Sequence, residues 1–77
     1  MTIYNIIPLG KRHTQALRDV YQNHEIHEIR RRAHLVLMRS RGVTVKDISI
    51  ALECEKKYIK LIFDTWYYLG PKGILEE

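Results

Sequence analysis

Several residue types are scarce in this chain, and each scarcity excludes something. There is one cysteine, Cys54, in 77 residues. An internal disulfide is therefore excluded, and the chain suits a reducing cytoplasm. The two prolines, Pro8 and Pro71, stand near the ends and leave the long middle uninterrupted. No apolar run is long enough to cross a bilayer. The start, Met1-Thr2-Ile3-Tyr4-Asn5-Ile6-Ile7, has no basic lead and no cleavage site, which argues against a signal peptide. Repeats, low-complexity segments and internal linkers are also absent. Acidic residues are outnumbered, with nine Asp and Glu against thirteen Lys and Arg, a formal charge of +4 and a pI near 9.4. That balance points to an anionic partner, of which nucleic acid is the commonest. The 45% apolar fraction is ordinary for a globular protein and excludes disorder. The length fits one small domain with a marginal core.

The centre of the chain is the stretch from Gly42 to Trp66. Ile48 and Leu52 share one helical face. Ile59, Ile62, Phe63 and Trp66 form a second stripe at helical spacing. Glu53-Cys54-Glu55 between them has the length of the turn in a helix-turn-helix. Ser49 is small where the helices must cross, and Cys54 is apolar enough to plug the corner. The turn usually takes glycine because its backbone has positive φ, and here it has Glu53. A strained or remodelled turn is expected.

Around this motif the pattern predicts an all-α bundle of about four helices. Residues 1–10 form an extended arm, 11–70 the helix-turn-helix domain and 71–77 a tail. Thr2 to Leu9 is short and β-branched, an arm or lone strand that needs the helices or another chain as partner. The first helix is expected from about Lys11 to Gln22, with Leu9, Ala16, Leu17 and Val20 as its apolar face. Asn23 stops it and caps the second helix, which runs from about His24 to Ser40 with Glu25 in its first turn. Ile26, Ile29, Ala33, Val36 and Leu37 form one stripe there. Leu35 and Met38 lie off it, so this helix is expected between the first helix and the motif. Gly42 ends it. Thr44 caps the third helix with Asp47 three residues on. The fourth runs from Glu55 or Lys56 to Leu69, where Gly70-Pro71 stops it. In the tail, Ile74 and Leu75 are apolar enough to fold back.

Arg31-Arg32-Ala33, Val36-Leu37-Met38, Gly42, Thr44, Asp47-Ile48, Leu52, Ile59 and Trp66 follow one another in a recognisable order. Together with Gly70-Pro71-Lys72-Gly73-Ile74-Leu75, they give the chain a resemblance. From Thr14 to Leu75 it resembles the N-terminal helix-turn-helix DNA-binding domain of mariner-like bacterial insertion-sequence transposases. The resemblance implies binding to a terminal inverted repeat, in the service of transposition and DNA recombination. It also implies a following catalytic domain with three metal-binding carboxylates. Seventy-seven residues have no room for that domain, so binding carries over and chemistry does not. A transposase fragment, a truncated product and a domain redeployed as a small regulator all fit. The departures are Glu53 for Gly, Ser49 for Ala, Glu55 for Ser or Thr, and Leu61-Ile62 for Arg-Trp. They bear on the DNA sequence read, not on the fold.

The candidate DNA-binding residues are Arg39, Arg41, Thr44, Lys56, Lys57, Tyr58, Lys60 and Leu61. Lys56, Lys57 and Lys60 are expected on the outer side of a recognition helix, able to reach guanine edges or phosphates, with Tyr58 and Leu61 beside them. The plainer alternative is a solvated helix face. From Arg30 to Lys60 there are nine Lys and Arg against three acidic residues, so the basic excess sits around the motif. Arg39 and Arg41 are the better phosphate candidates. Arg30 to Arg32 divide between phosphate contact and ion pairs with Glu25 or Glu28. His24, His27 and His34 tempt a metal reading, but no Cys or carboxylate pattern completes a tetrahedral set, and partly exposed histidines are expected. Asp19, Asp47 and Asp64 carry no catalytic spacing, and Cys54 has no activating histidine. Trp66 reads as core and Tyr68 as exposed. The reading is a non-enzymatic, cytoplasmic, nucleoid-associated binder of double-stranded DNA, with no metal or cofactor and no membrane partner. A protein-interaction or dimerisation module, joined through the arm or through Leu61 and Tyr68, is the alternative.

Overall fold

Why the chain folds as it does is clearest from its second helix outward. The computed structural model describes residues 9–75. Among them are five helices and no strand: α1 Lys11–Asn23, α2 His27–Ser40, α3 Val45–Leu52, α4 Lys56–Leu69 and α5 Pro71–Leu75. The expected arm falls on residues outside those described, apart from Leu9 and Gly10; Leu9 packs against the core.

Helix α2 is the centre of the bundle, in contact with α1, α3, α4 and α5. Its sequence dictates this, because it is apolar around most of its girth. Ile29, Ala33 and Val36 face one way, Leu35 and Leu37 turn toward other neighbours, and all five are buried. Of the off-stripe residues noted in the sequence, Leu35 is fully buried and Met38 packs against the core, which is how α2 comes to be enclosed. Its end is made by Gly42 at φ 87°, a conformation that glycine takes without Cβ strain.

Helix α1 packs chiefly on α2, with the expected face inward except for one residue. Ala16 is exposed. Leu17 and Val20 point inward with Leu9 packed against the core, and the exposed His13 lies one turn before Leu17. Leu17 is fully buried, and the His13 ring meets the Trp66 ring edge-on at 5.7 Å.

The α1–α2 joint also differs from expectation. Helix α1 includes Asn23, and α2 starts at His27 with Ile26 at its N-cap, which has no side-chain cap. Asn23 and Glu25 do not serve α2. Glu28 is the acid in the first turn of α2, and His24 closes the joint. Its Nδ1 accepts from the Ile26 amide at 3.0 Å, and its carbonyl accepts from the Arg30 guanidinium. An imidazole can accept where an asparagine was expected, so residue preference alone does not locate this joint.

The motif follows the sequence closely. The Thr44 hydroxyl accepts from the Asp47 amide at 3.1 Å and caps α3. Ile48 of α3 and Ile59, Ile62, Phe63 and Trp66 of α4 enter one core with Leu35, Leu37 and Cys54. Gly70, at φ 65° and ψ −153°, stops α4. The residues after it form α5 where a tail was expected. Ile74 is fully buried. Gly73 lets α5 lie tightly on α4, since a Cβ there would stand 2.8 Å from Leu69 Cβ and from Thr65 Cγ2. Among the described residues, no helix is long and apolar enough to cross a membrane.

Candidate nucleic-acid interface

The turn between α3 and α4 is built around a strained residue. Glu53 adopts φ 52° and ψ 45°, the left-handed conformation. For a non-glycine residue this costs about 1–2 kcal/mol. Two hydrogen bonds across the turn hold it there. The Cys54 amide donates to the Ser49 carbonyl at 3.2 Å, and the Ser49 hydroxyl donates to the Cys54 carbonyl at 2.6 Å. Serine in place of alanine therefore locks the turn as well as fitting the crossing. The Cys54 side chain is buried in the corner, as expected.

That turn sets the start of α4 beside the body while half of the helix faces away from it. Lys56, Lys57, Lys60 and Leu61 are exposed. Lys57 and Leu61 are one turn apart, as are Lys56 and Lys60, so the four form a contiguous outer surface. Thr44 and Arg41 are exposed at the other edge of the motif, though the Thr44 hydroxyl is already the cap of α3.

Two of the eight candidates are placed otherwise. Arg39 is only 6% exposed. One of its guanidinium nitrogens donates to the Val43 carbonyl at 2.8 Å, and its Cζ stands 6.0 Å from the centre of the Phe63 ring. Its Nε is buried without a hydrogen-bond partner, and burial holds the guanidinium below its ordinary pKa. Arg39 thus staples the α2–α3 loop to the core and is not presented to a phosphate. The reason is rotational: it falls on the α2 face shared with Leu35, which the enclosure of α2 buries.

Tyr58 is the second correction. Its ring is half-buried, and its hydroxyl donates to the Glu28 carboxylate on α2. Burial first, then the bond to Glu28 and that carboxylate's charge, push the phenol up to about 12, and Arg32 offsets part of this. Arg32 Nε lies 3.5 Å from the same carboxylate, an ion pair by distance that lacks hydrogen-bond alignment. Tyr58 therefore ties the first turn of α4 to α2, whereas an outward phosphate or thymine contact was expected of it. The sequence signal was available: Tyr58 lies one residue before buried Ile59 and four before buried Ile62, at the edge of the inward stripe.

A feature that the sequence reading missed lies on the other side of the turn. Tyr21 of α1, His27, Arg30, Arg31 and His34 of α2, and Ala51, Leu52 and Glu53 line a cleft. The Tyr21 and His34 rings stack at 4.3 Å. Burial, then the positive charge of Arg41, hold His34 below the ordinary imidazole pKa. The grouping could not be read from spacing, because it depends on how α1 and the end of α3 are set about α2. Among the described residues, no group of three His, Cys, Asp or Glu side chains could hold a metal ion. Apolar exposure is concentrated further along α4, where Leu61, Tyr67, Tyr68 and Leu69 are 59–74% exposed. No family model, curated protein or solved structure matches the chain.

Proposed function

We propose that the chain binds double-stranded DNA without chemistry, with α4 in the major groove and the edges of the motif on the backbone. The observation that carries this reading is the disposition of α4. One side of it is fixed in the core by Ile59, Ile62 and Phe63, and the other presents Lys56, Lys57 and Lys60 together at the end that leaves the turn. Lys57 is assigned to a base edge, and Lys56, Lys60 and Arg41 to phosphates. The resemblance to transposase end-binding domains agrees with this, and a terminal repeat is the corresponding target.

With three phosphate contacts, log affinity should fall with log salt at a slope of about −2.7. Fluorescence anisotropy on a duplex at two salt concentrations measures it. Lys56→Ala should flatten the slope by about one and weaken all sequences alike. Lys57→Ala should relax preference at one base pair by about 1–3 kcal/mol. Arg39→Ala, corrected for folded fraction, should leave the slope unchanged. Absence of binding at low salt by the folded protein would defeat the reading.

A second reading rests on Leu61, Tyr67, Tyr68 and Leu69, whose exposure on one helix suits a protein partner or a second copy. It predicts self-association in light scattering that Tyr68→Ala abolishes, and DNA binding indifferent to Lys57→Ala.

A further inference from the structure

The cleft beside the turn has its own chemistry, separate from the outer surface of α4. Four of its lining side chains, His27, Arg30, Arg31 and His34, are cationic or become so on protonation, and one, Glu53, is acidic. They come from different parts of the fold. Helix α2 supplies the four basic groups over two turns, α1 supplies Tyr21 as one wall, and the turn supplies Glu53 as the other. Arg30 and Arg31 are half-buried rather than extended into solvent. Arg30 is held in place by the bond from one of its nitrogens to the His24 carbonyl. Among the described residues, Arg31 makes no ion pair; the pair on this part of α2 belongs to Arg32 and Glu28. The cleft is thus a concave site whose donors are carried by α2, and its two arginines outweigh the single carboxylate of Glu53.

We propose that this cleft binds a phosphate group. Arg30 and Arg31 supply charge-assisted N–H donors, which suit phosphate oxygens by their fork geometry. His27 and His34 add donors when protonated, and Glu53 opposes the anion and limits affinity. The charged and titratable groups facing the site are Tyr21 from α1, the four α2 residues, Glu53 from the turn, and Arg41, whose charge reaches His34. Phosphate must therefore lift His34 against burial and Arg41, and binding tightens as pH falls. Glu53 stands three residues before Lys56, so a duplex with α4 in its groove would bring a neighbouring backbone phosphate to this side of the turn. That identity of the phosphate rests on the DNA reading; the site itself does not.

Dimethyl phosphate is the probe for a backbone diester, because its charge does not change near neutral pH, and inorganic phosphate is the probe for a free ion. The readout is the imidazole C–H resonances of His27 and His34 in the full chain, against chloride at equal ionic strength. Saturable shifts of both histidines are expected, with affinity about threefold tighter near pH 6 than near pH 8. Arg31→Gln should weaken binding about tenfold, and Glu53→Gln should tighten it, so a folding defect in one variant leaves the other informative. In the duplex arm, Arg31→Gln lowering the salt slope by about one identifies the occupant as a backbone phosphate. An unchanged slope with inorganic phosphate binding lost identifies a free phosphate and rejects the backbone assignment. Shifts no larger than chloride gives, or shifts that neither variant alters, overturn the site. Loss of duplex binding with the histidine shifts intact counts against the DNA reading alone.

Discussion

Replacing Glu53 with glycine should stabilise the protein. Glu53 sits at φ 52°, ψ 45°, where a residue with a Cβ is strained by about 1–2 kcal/mol. Glycine removes that strain but loses about 0.5–1 kcal/mol more conformational entropy on folding. The exposed Glu53 carboxylate near Arg30 and Arg31 contributes no more than a surface pair does, about 0–0.5 kcal/mol. Both hydrogen bonds that close the turn involve Ser49 and Cys54, so the substitution leaves them intact. The balance is a gain of about 0.5 kcal/mol, or roughly 2–4 °C in Tm for a domain of this size. Urea and thermal melts followed by circular dichroism read it directly. Glu53→Ala separates the two contributions, since it deletes the carboxylate and keeps the strain; it should be no more stable than the parent. A Glu53→Gly midpoint at or below that of Glu53→Ala would refute the strain argument. The turn would then be a relaxed one that accommodates a side chain.

Two further substitutions test the packing that positions α4. Tyr58→Phe should lower stability at neutral pH by about 1 kcal/mol, since the lost bond goes to a carboxylate but is only half-buried. The phenol is raised in the folded state, so its contribution is complete below the unfolded value near 10 and declines from there up to about 12. The parent should lose stability over that alkaline window, and Tyr58→Phe should lose less, as stability curves at several pH values will show. Gly73→Ala should destabilise by about 1–3 kcal/mol, because the new methyl meets Leu69 Cβ and Thr65 Cγ2 at 2.8 Å. A Gly73→Ala melt that matches the parent would mean α5 does not sit against α4 as described.

Much of the fold was legible because it rests on periodicity. The stripes of α3 and α4, the Thr44 cap and the stop at Gly70 follow from spacing and residue type within one helix. What was not legible depends on how helices are rotated against one another. Ala16 and Arg39 illustrate this: each has a plausible place on a helical wheel, and the neighbours of that helix decide which side is inside. Tyr58 illustrates it again, since its partner Glu28 lies thirty residues away. The His24 joint failed for a different reason, an imidazole doing work that capping preferences assign to Asn. On the outer surface of α4, the exposure of the lysines followed from the motif alone. The cleft draws on three elements, and only the assembled bundle brings them together.

Because α2 touches every other helix, the order in which the chain can acquire its structure is constrained. The α1–α2 pair joins neighbours in sequence, so closing it spans few residues, and it is also the most extensive helix pair. The α2–α4 and α2–α5 contacts close longer loops and reward folding only once α2 exists. Helix α2 therefore acts as the template on which α4 and α5 settle, and the outer surface of α4 takes its final place only then. A lesion in the interior of α2, such as one at Ala33 or Val36, would slow folding as a whole. A lesion confined to α5 would chiefly hasten unfolding.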